Sequence, residues 1–347
     1  MRNREMIWQI LTGPSGKLFL VVLGILFFMS CEVPISVEYE VIEPQIVVDG
    51  LITNEPGPYE VKLSYSSAYS DGTIGNNPPV SGALVIIRDD TGREEVLYEG
   101  RPGIYQTDPG FMGEVGRVYT LSIHTAEGKT IESLPEEMLP VPEVDSIYYI
   151  FYPISEIQKQ GHEVYAVVDD PVDEKNYYRW KWDGFYRFYM VNDFETRVCF
   201  KHEFDINRIS VISDRDFNGN KIYIPVSFVE HFSNDFYLIH IHQYSLTENA
   251  YKFWNALYDQ SANVGSIFDP QPARIKGNLF YTDDTEAPVH GFFGASAHQL
   301  GYQYMDFNAG IRPQYPRTYE FKRCDQHLNS FVYDINDPRW PIGWEGW

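Results

Sequence analysis

Cysteine is scarce in this chain of 347 residues: Cys31, Cys199 and Cys324 are the only three. So few exclude a disulfide-dense small scaffold and a structural zinc site built from cysteines. Catalytic templates are missing as well. There is no G-x-S-x-G elbow, no H-E-x-x-H pair, no phosphate-cradling loop and no dinucleotide fingerprint, so no motif announces an enzyme or a cofactor. Positive charge is short, with 27 Lys and Arg against 49 Asp and Glu, for a formal net charge of −22. A chain this acidic repels phosphates, which excludes a general nucleic-acid binder. No uninterrupted apolar run reaches the roughly twenty residues that a membrane-spanning helix needs.

What is present begins with the N-terminus. Arg2, Arg4 and Lys17 precede the apolar run Leu18 to Met29 (LFLVVLGILFFM), which ends at Ser30-Cys31. A basic start, a short apolar run and a small residue before Cys read as a lipoprotein export signal over residues 1–30. Phe28, at the third position before the cut, departs from the usual Leu. Cleavage there leaves Cys31 to carry lipid on its thiol and amine. Several acyl chains, each burying CH2 groups at about 0.8 kcal/mol apiece, give stable membrane anchoring. The alternative is an uncleaved anchor helix starting near Ile7, with Cys31 incidental. Removing 1–30 takes three basic residues and one acid, so the mature chain is more acidic still. In an oxidising compartment Cys199 and Cys324 are expected to form a disulfide, the alternative being two buried thiols.

Aromatic residues reach 16%, a bias of β-rich proteins and of ligand-binding faces. Residues 31–44 read as a tether. From Gln45, short strands alternate with Gly, Pro, Asn and Asp clusters, and Asp90-Thr91-Gly92 and Glu127-Gly128-Lys129 have the composition of hairpin turns. The spacing predicts an immunoglobulin-like or transthyretin-like β-sandwich over 45–138. The proline-rich, acidic stretch around LPVPEVDS marks a linker at 139–146. A second β-rich domain follows over 147–323, with one helix near 247–260 carrying Tyr251, Trp254, Leu257 and Tyr258 on one stripe. The tail, 324–347, ends in three tryptophans and shows no period. The expected fold class is therefore mainly all-β.

The candidate sites are weak patterns, each with a plainer reading beside it. Tyr178, Trp180 and Trp182 alternate with Tyr177, Arg179 and Lys181, so one strand face is a row of large rings. Such a row is either core between two sheets or a stacking platform for sugars or peptides. His240 and His242 are two apart and share a strand face, where both imidazoles can reach one ion if His231, His290 or His298 adds a ligand; otherwise they are a polar interruption. Cys199 and His202 are three apart, which puts them on opposite faces and argues against a thiol–imidazole pair. In SDRDFNGNK, the spacing of Asp214, Asp216 and Asn218 before Gly219 opens a calcium loop, but the twelfth residue is Pro225, which offers no side-chain oxygen. The same stretch reads as a hairpin turn between strand-like flanks, with Asp214 and Asp216 bracing its backbone.

Several segments spread along the chain carry a family resemblance. QIVVDGLIT, VSGALVIIRDDTG, GIYQTD, VGRVYTLSIHTAEGK, VPEVDSIYY and VDDPVDEKNYYRWKWDG occur in order, followed by SDRDFNG, SLTENAYKFWNAL, GSIFDPQPARIKGNL and HGFFGAS. In that order they resemble the Bacteroidetes DUF4249 family, exported lipoproteins with no assigned activity. The resemblance implies an outer-membrane lipoprotein with a non-catalytic accessory role in binding or assembly beside a TonB-dependent outer-membrane receptor. A surface hydrolase acting on glycans or peptides, or a structural envelope lipoprotein, stands as the alternative.

Overall fold

The structure, a computed structural model, describes residues 43–66, 77–155, 159–172, 175–191, 196–204, 209–230, 236–262, 274–306 and 330–332. The expected export signal, Cys31, His231 and Cys324 lie outside the described residues. Residues Pro44–Trp347 form one compact unit. Strands account for 56% and among the described residues there is one α-helix, so the fold is all-β as the composition and turn spacing indicate.

The first half lays down eight strands: β1 (Ile46–Thr53), β2 (Glu60–Tyr65), β3 (Leu84–Asp89), β4 (Glu94–Arg101), β5 (Ile104–Gln106), β6 (Val118–His124), β7 (Thr130–Ser133) and β8 (Glu136–Glu137). Six more follow: β9 (Val144–Tyr152), β10 (Gly161–Asp169), β11 (Tyr177–Val191), β12 (Thr196–Phe204), β13 (Ser210–Ser213) and β14 (Lys221–Glu230). Then come β15 (Phe236–Ser245), helix α1 (Glu248–Ala262), β16 (Leu279–Tyr281), β17 (His290–Ser296), β18 (His298–Asp306) and β19 (Ser330–Val332).

The first sheet has the order β16-β7-β6-β3-β4-β5-β2-β1-β17, with β8 on β6. It curls into a nearly closed barrel around Ile46, Val48, Leu63, Val85, Leu121 and Phe293, all almost fully buried. The two turns expected at Asp90-Thr91-Gly92 and Glu127-Gly128-Lys129 close the β3–β4 and β6–β7 hairpins. Gly92 and Gly128 supply the positive φ (87° and 85°) that these turns require. Both edges of the sheet come from late in the chain. β17 pairs in parallel with β1, Val47 opposite His290 through Thr53 opposite Ser296, and β16 pairs with β7. Sequence order assigns 279–296 to the second domain, but the backbone groups left unpaired along β1 and β7 draw these strands to the first sheet.

The remaining strands make a second layered body. A three-stranded sheet, β14-β10-β9, packs against the six-stranded β18-β15-β11-β12-β19, with β13 on β11. Val164, Ala166 and Val168 from β10 and Ile222 and Ile224 from β14 meet Trp180, Tyr237, Ile239 and Ile241 from the larger sheet. Helix α1 starts where expected. Thr247 caps it, its Oγ1 accepting the Ala250 N–H at 3.1 Å, and Lys252 bridges back to Glu248 on the exposed side. Among the described residues no helix is long and apolar enough to cross a membrane.

The Ser213–Lys221 stretch does not close a hairpin. β13 pairs with β11 whereas β14 pairs with β10, so this stretch carries the chain from one sheet to the other. Asp214–Asp216 wind a single 3-10 turn. Asp214 Oδ2 accepts the Asn176 N–H at 2.7 Å, and Gly219, at φ 72°, donates its N–H to Asp170 Oδ2 at 3.2 Å. Asn218-Gly219 signals a need for positive φ, and a crossover creates that need as readily as a hairpin does. The bracing carboxylates are Asp214 and Asp170, while the Asp216 side chain lies outside the described set. Burial, with the nearby Asp170 charge, pushes the Asp214 carboxyl up against the Asn176 N–H that holds it down.

Candidate functional site

Strand β11 has two faces of opposite character, and its alternation explains both. Tyr178 and Trp180 are 1% exposed and Trp182 is partly buried against the same core, so the row of rings points into the sandwich. Arg179, Lys181 and Asp183 point the other way, the first two toward the outer surface of the β1–β17 seam and helix α1, the third toward histidines of β12 and β15. On β15 the partition repeats. Ile239 and Ile241 face the core, while His240, His242 and Tyr244 lie beside Asp183, Lys181 and Arg179 in direct register. Two adjoining sites occupy this polar face.

The first is a cleft with a cavity of about 140 Å3 lined by Arg179, Lys181, Tyr244, Trp254, Phe292 and Asp49. Arg179 sits 3.3 Å above the Trp254 ring, the residue that turns the α1 stripe toward the sheet. Among the described residues no carboxylate lies within 4 Å of Arg179 or Lys181. Burial pulls the Arg179 guanidinium down to about 10, and burial with the neighbouring Arg179 charge pulls Lys181 down to about 8. Lys181 keeps contact with solvent at the mouth of the cleft, although its ammonium is packed among protein atoms. Burial also raises the Tyr244 hydroxyl to about 12. The cleft therefore holds a partly buried guanidinium whose desolvation the Asp49 carboxylate, which lines the same cleft, offsets only in part.

The second site is an imidazole–carboxylate cluster. Asp183 Oδ1 accepts from His242 Nε2 at 2.7 Å, and Asp183 Oδ2 accepts from His202 Nε2 at 2.8 Å. His240 Nδ1 lies 3.5 Å from the same Oδ2. His242 Nδ1 meets His298 Nε2 at 3.0 Å, and His298 Nδ1 is 3.7 Å from Glu55 Oε1. Burial alone would raise the Asp183 carboxyl, but the three imidazole hydrogen bonds hold it well below the usual carboxylate range. His298 is pulled down to about 4, by burial and then by His242, so it is a neutral ring at ordinary pH. Stacking fixes the rings in place: Phe185 lies 4.2 Å from His202 with an interplanar angle of 6°, and His298 lies 5.2 Å from His242.

Of the sequence-derived candidates, His240 and His242 do converge, and His298 joins them. Asp183 and His202 were not among those candidates. The signal for Asp183 was the alternation in WKWDG, which places it opposite the tryptophans and beside the histidine face of a paired strand. His202 and Cys199 do lie on opposite faces: Cys199 is in the core and disulfide-bonded, with its expected partner Cys324 outside the described residues. His290 opens β17 opposite Val47 and takes no part in the cluster. Among the described residues, Asp183, His240 and His242 are the one group of three or more such side chains whose ligand atoms all lie within 4.8 Å of one another.

No curated protein matches the chain. The family model described as "Domain of unknown function (DUF4249)" matches residues 32–299, a span that includes β1 through β17 and both sites. The chain belongs to the DUF4249 family.

Proposed function

We propose that this protein is a non-catalytic, lipid-anchored binding subunit. It works beside a TonB-dependent outer-membrane receptor and holds an anionic group of its ligand on Arg179. The observation that carries the reading is the state of that guanidinium, stacked on Trp254 in a cleft where, among the described residues, no carboxylate lies within 4 Å of it. A partly desolvated cation costs free energy in the empty protein, and a bidentate carboxylate or phosphate offsets that cost on binding. A cavity of about 140 Å3 admits such a group with a few attached atoms, and the rest of the ligand reaches outward past Lys181. The net charge of −22 disfavours anions at long range, so selection here acts by contact and not by steering. The Ser30-Cys31 signal supports the anchor, and the family resemblance supports the receptor association.

The test uses full-length protein extracted in mild detergent. Inorganic phosphate and succinate are the probes, read as shifts in melting temperature. The wild type is expected to rise with one of them, whereas Arg179→Gln melts at or above the wild-type temperature without ligand and no longer responds. An equal response in both proteins overturns the anion site. Cys31→Ala is expected to move the chain to the soluble fraction and to end its co-purification with a membrane barrel. Continued membrane association of that variant would sink the anchor. A surface hydrolase is the second reading, favoured by the Asp183–histidine cluster. Cleavage of peptide or glycan substrates by the wild type but not by His242→Gln would establish it instead.

A further inference from the structure

We propose that Asp183, His240 and His242 bind a divalent transition-metal ion of the zinc class. The proposal stands apart from the anion cleft and does not depend on it. Donor placement is the first support. A tetrahedral ion with bonds of about 2.0–2.1 Å needs neighbouring donors roughly 3.3 Å apart. The contacts of Asp183 with His242 and His240, at 2.7 and 3.5 Å, bracket that spacing, and the ligand atoms of all three residues lie within 4.8 Å of one another.

The scaffold is the second support. Asp183 and His240 are directly paired across β11 and β15, and His242 is two residues further along the same face. Strand positions hold ligands more precisely than loops do. Donor chemistry selects the ion class: imidazoles with one carboxylate suit zinc and its neighbours, whereas calcium and magnesium take oxygen ligands.

The outer hydrogen bonds also run in the right direction. With Nε2 of His242 on the ion, its Nδ1–H donates to His298 Nε2 at 3.0 Å, and His298 turns its own Nδ1–H toward Glu55. Metal-bound imidazoles usually hand their second N–H to such an acceptor. Access is open, because the side chains of His202 and His242 are 33% and 25% exposed.

The competing account is a metal-free knot in which Asp183 accepts N–H groups from three imidazoles. Cobalt titration separates the two. Full-length protein in detergent is stripped with EDTA, titrated with Co2+ and back-titrated with Zn2+. We expect a visible ligand-field band that saturates at one equivalent and disappears as zinc displaces cobalt. Asp183→Asn and His242→Gln are expected to lose the band, and His298→Ala to weaken binding about 10–100-fold. His124→Ala, at an exposed histidine on β6, is expected to leave it unchanged. Far-UV circular dichroism of each variant identifies any that misfold, and the two ligand variants back each other up. Absence of a band in the wild type, or an equal band in both ligand variants, overturns the proposal.

Discussion

At the scale of residues, neighbours on β11 carry opposite predictions. Trp180 is buried at 1% in the second core, so Trp180→Ala is expected to cost about 3–5 kcal/mol. Arg179, the next residue back, makes no ion pair with another described residue, and its replacement is expected to cost little or nothing. Chemical denaturation of the two variants should show a large fall in midpoint for the first alone; similar falls would show that the two faces have been misassigned. Gln243 is a related case. It is fully buried opposite Trp180, and among the described residues neither its amide oxygen nor its nitrogen has a hydrogen-bond partner. An unsatisfied buried amide costs about 1–3 kcal/mol, so Gln243→Leu is expected to raise the denaturation midpoint. A lower midpoint would mean that the amide has partners after all.

At the scale of elements, Glu136 ties three segments together. It is 1% exposed on β8, accepts from Thr247 at the cap of α1 at 2.6 Å, and accepts from Asn278 ahead of β16 at 3.2 Å. Burial raises its carboxyl despite these two hydrogen bonds, so the folded chain keeps this proton to higher pH than the unfolded chain does. The folded state thus binds more protons in the window above the ordinary glutamate range. Stability falls as pH rises through that window. Asp183 works in the opposite sense at lower pH. Its depressed carboxyl adds stability above its unfolded value, and that contribution is lost as pH falls through the folded value. Denaturation midpoints stepped through mildly acidic pH should show the Glu136 slope in the wild type and a flatter profile in Glu136→Gln. Identical slopes would assign the dependence to another group.

At the scale of the whole molecule, the first sheet cannot be detached from the chain that follows it. Its two edges are β16 and β17, and Phe293 of β17 is fully buried in its core. A chain truncated after residue 146 exposes the full length of β1 and the edge of β7. It is expected to aggregate or to melt without cooperativity. A sharp two-state transition in the truncated chain would show that the barrel is complete without those strands. The same closure makes the polar face: the outer surface of the β1–β17 seam, with α1 beside it, covers the face of β11 and β15 that the second core leaves free.

The sequence by itself determined the strand-rich class, the two hairpin turns, the helix near 247–260 and the shared face of His240 and His242. These depend on periods of two and 3.6 residues and on turn chemistry, all of which act within a few positions. It also left the ring row of Tyr178, Trp180 and Trp182 open between core and platform, because alternation separates two faces without saying which is covered. Only the tertiary structure decided that β14 and β10 receive the rings, that Arg179 and Lys181 face the cleft and that Asp183 meets the histidines. It alone brought His202, from a neighbouring strand, to Asp183, and His298, from β18, to His242. Strand partners are chosen by unpaired backbone edges and buried area across long loops, and no local pattern in the chain encodes that choice.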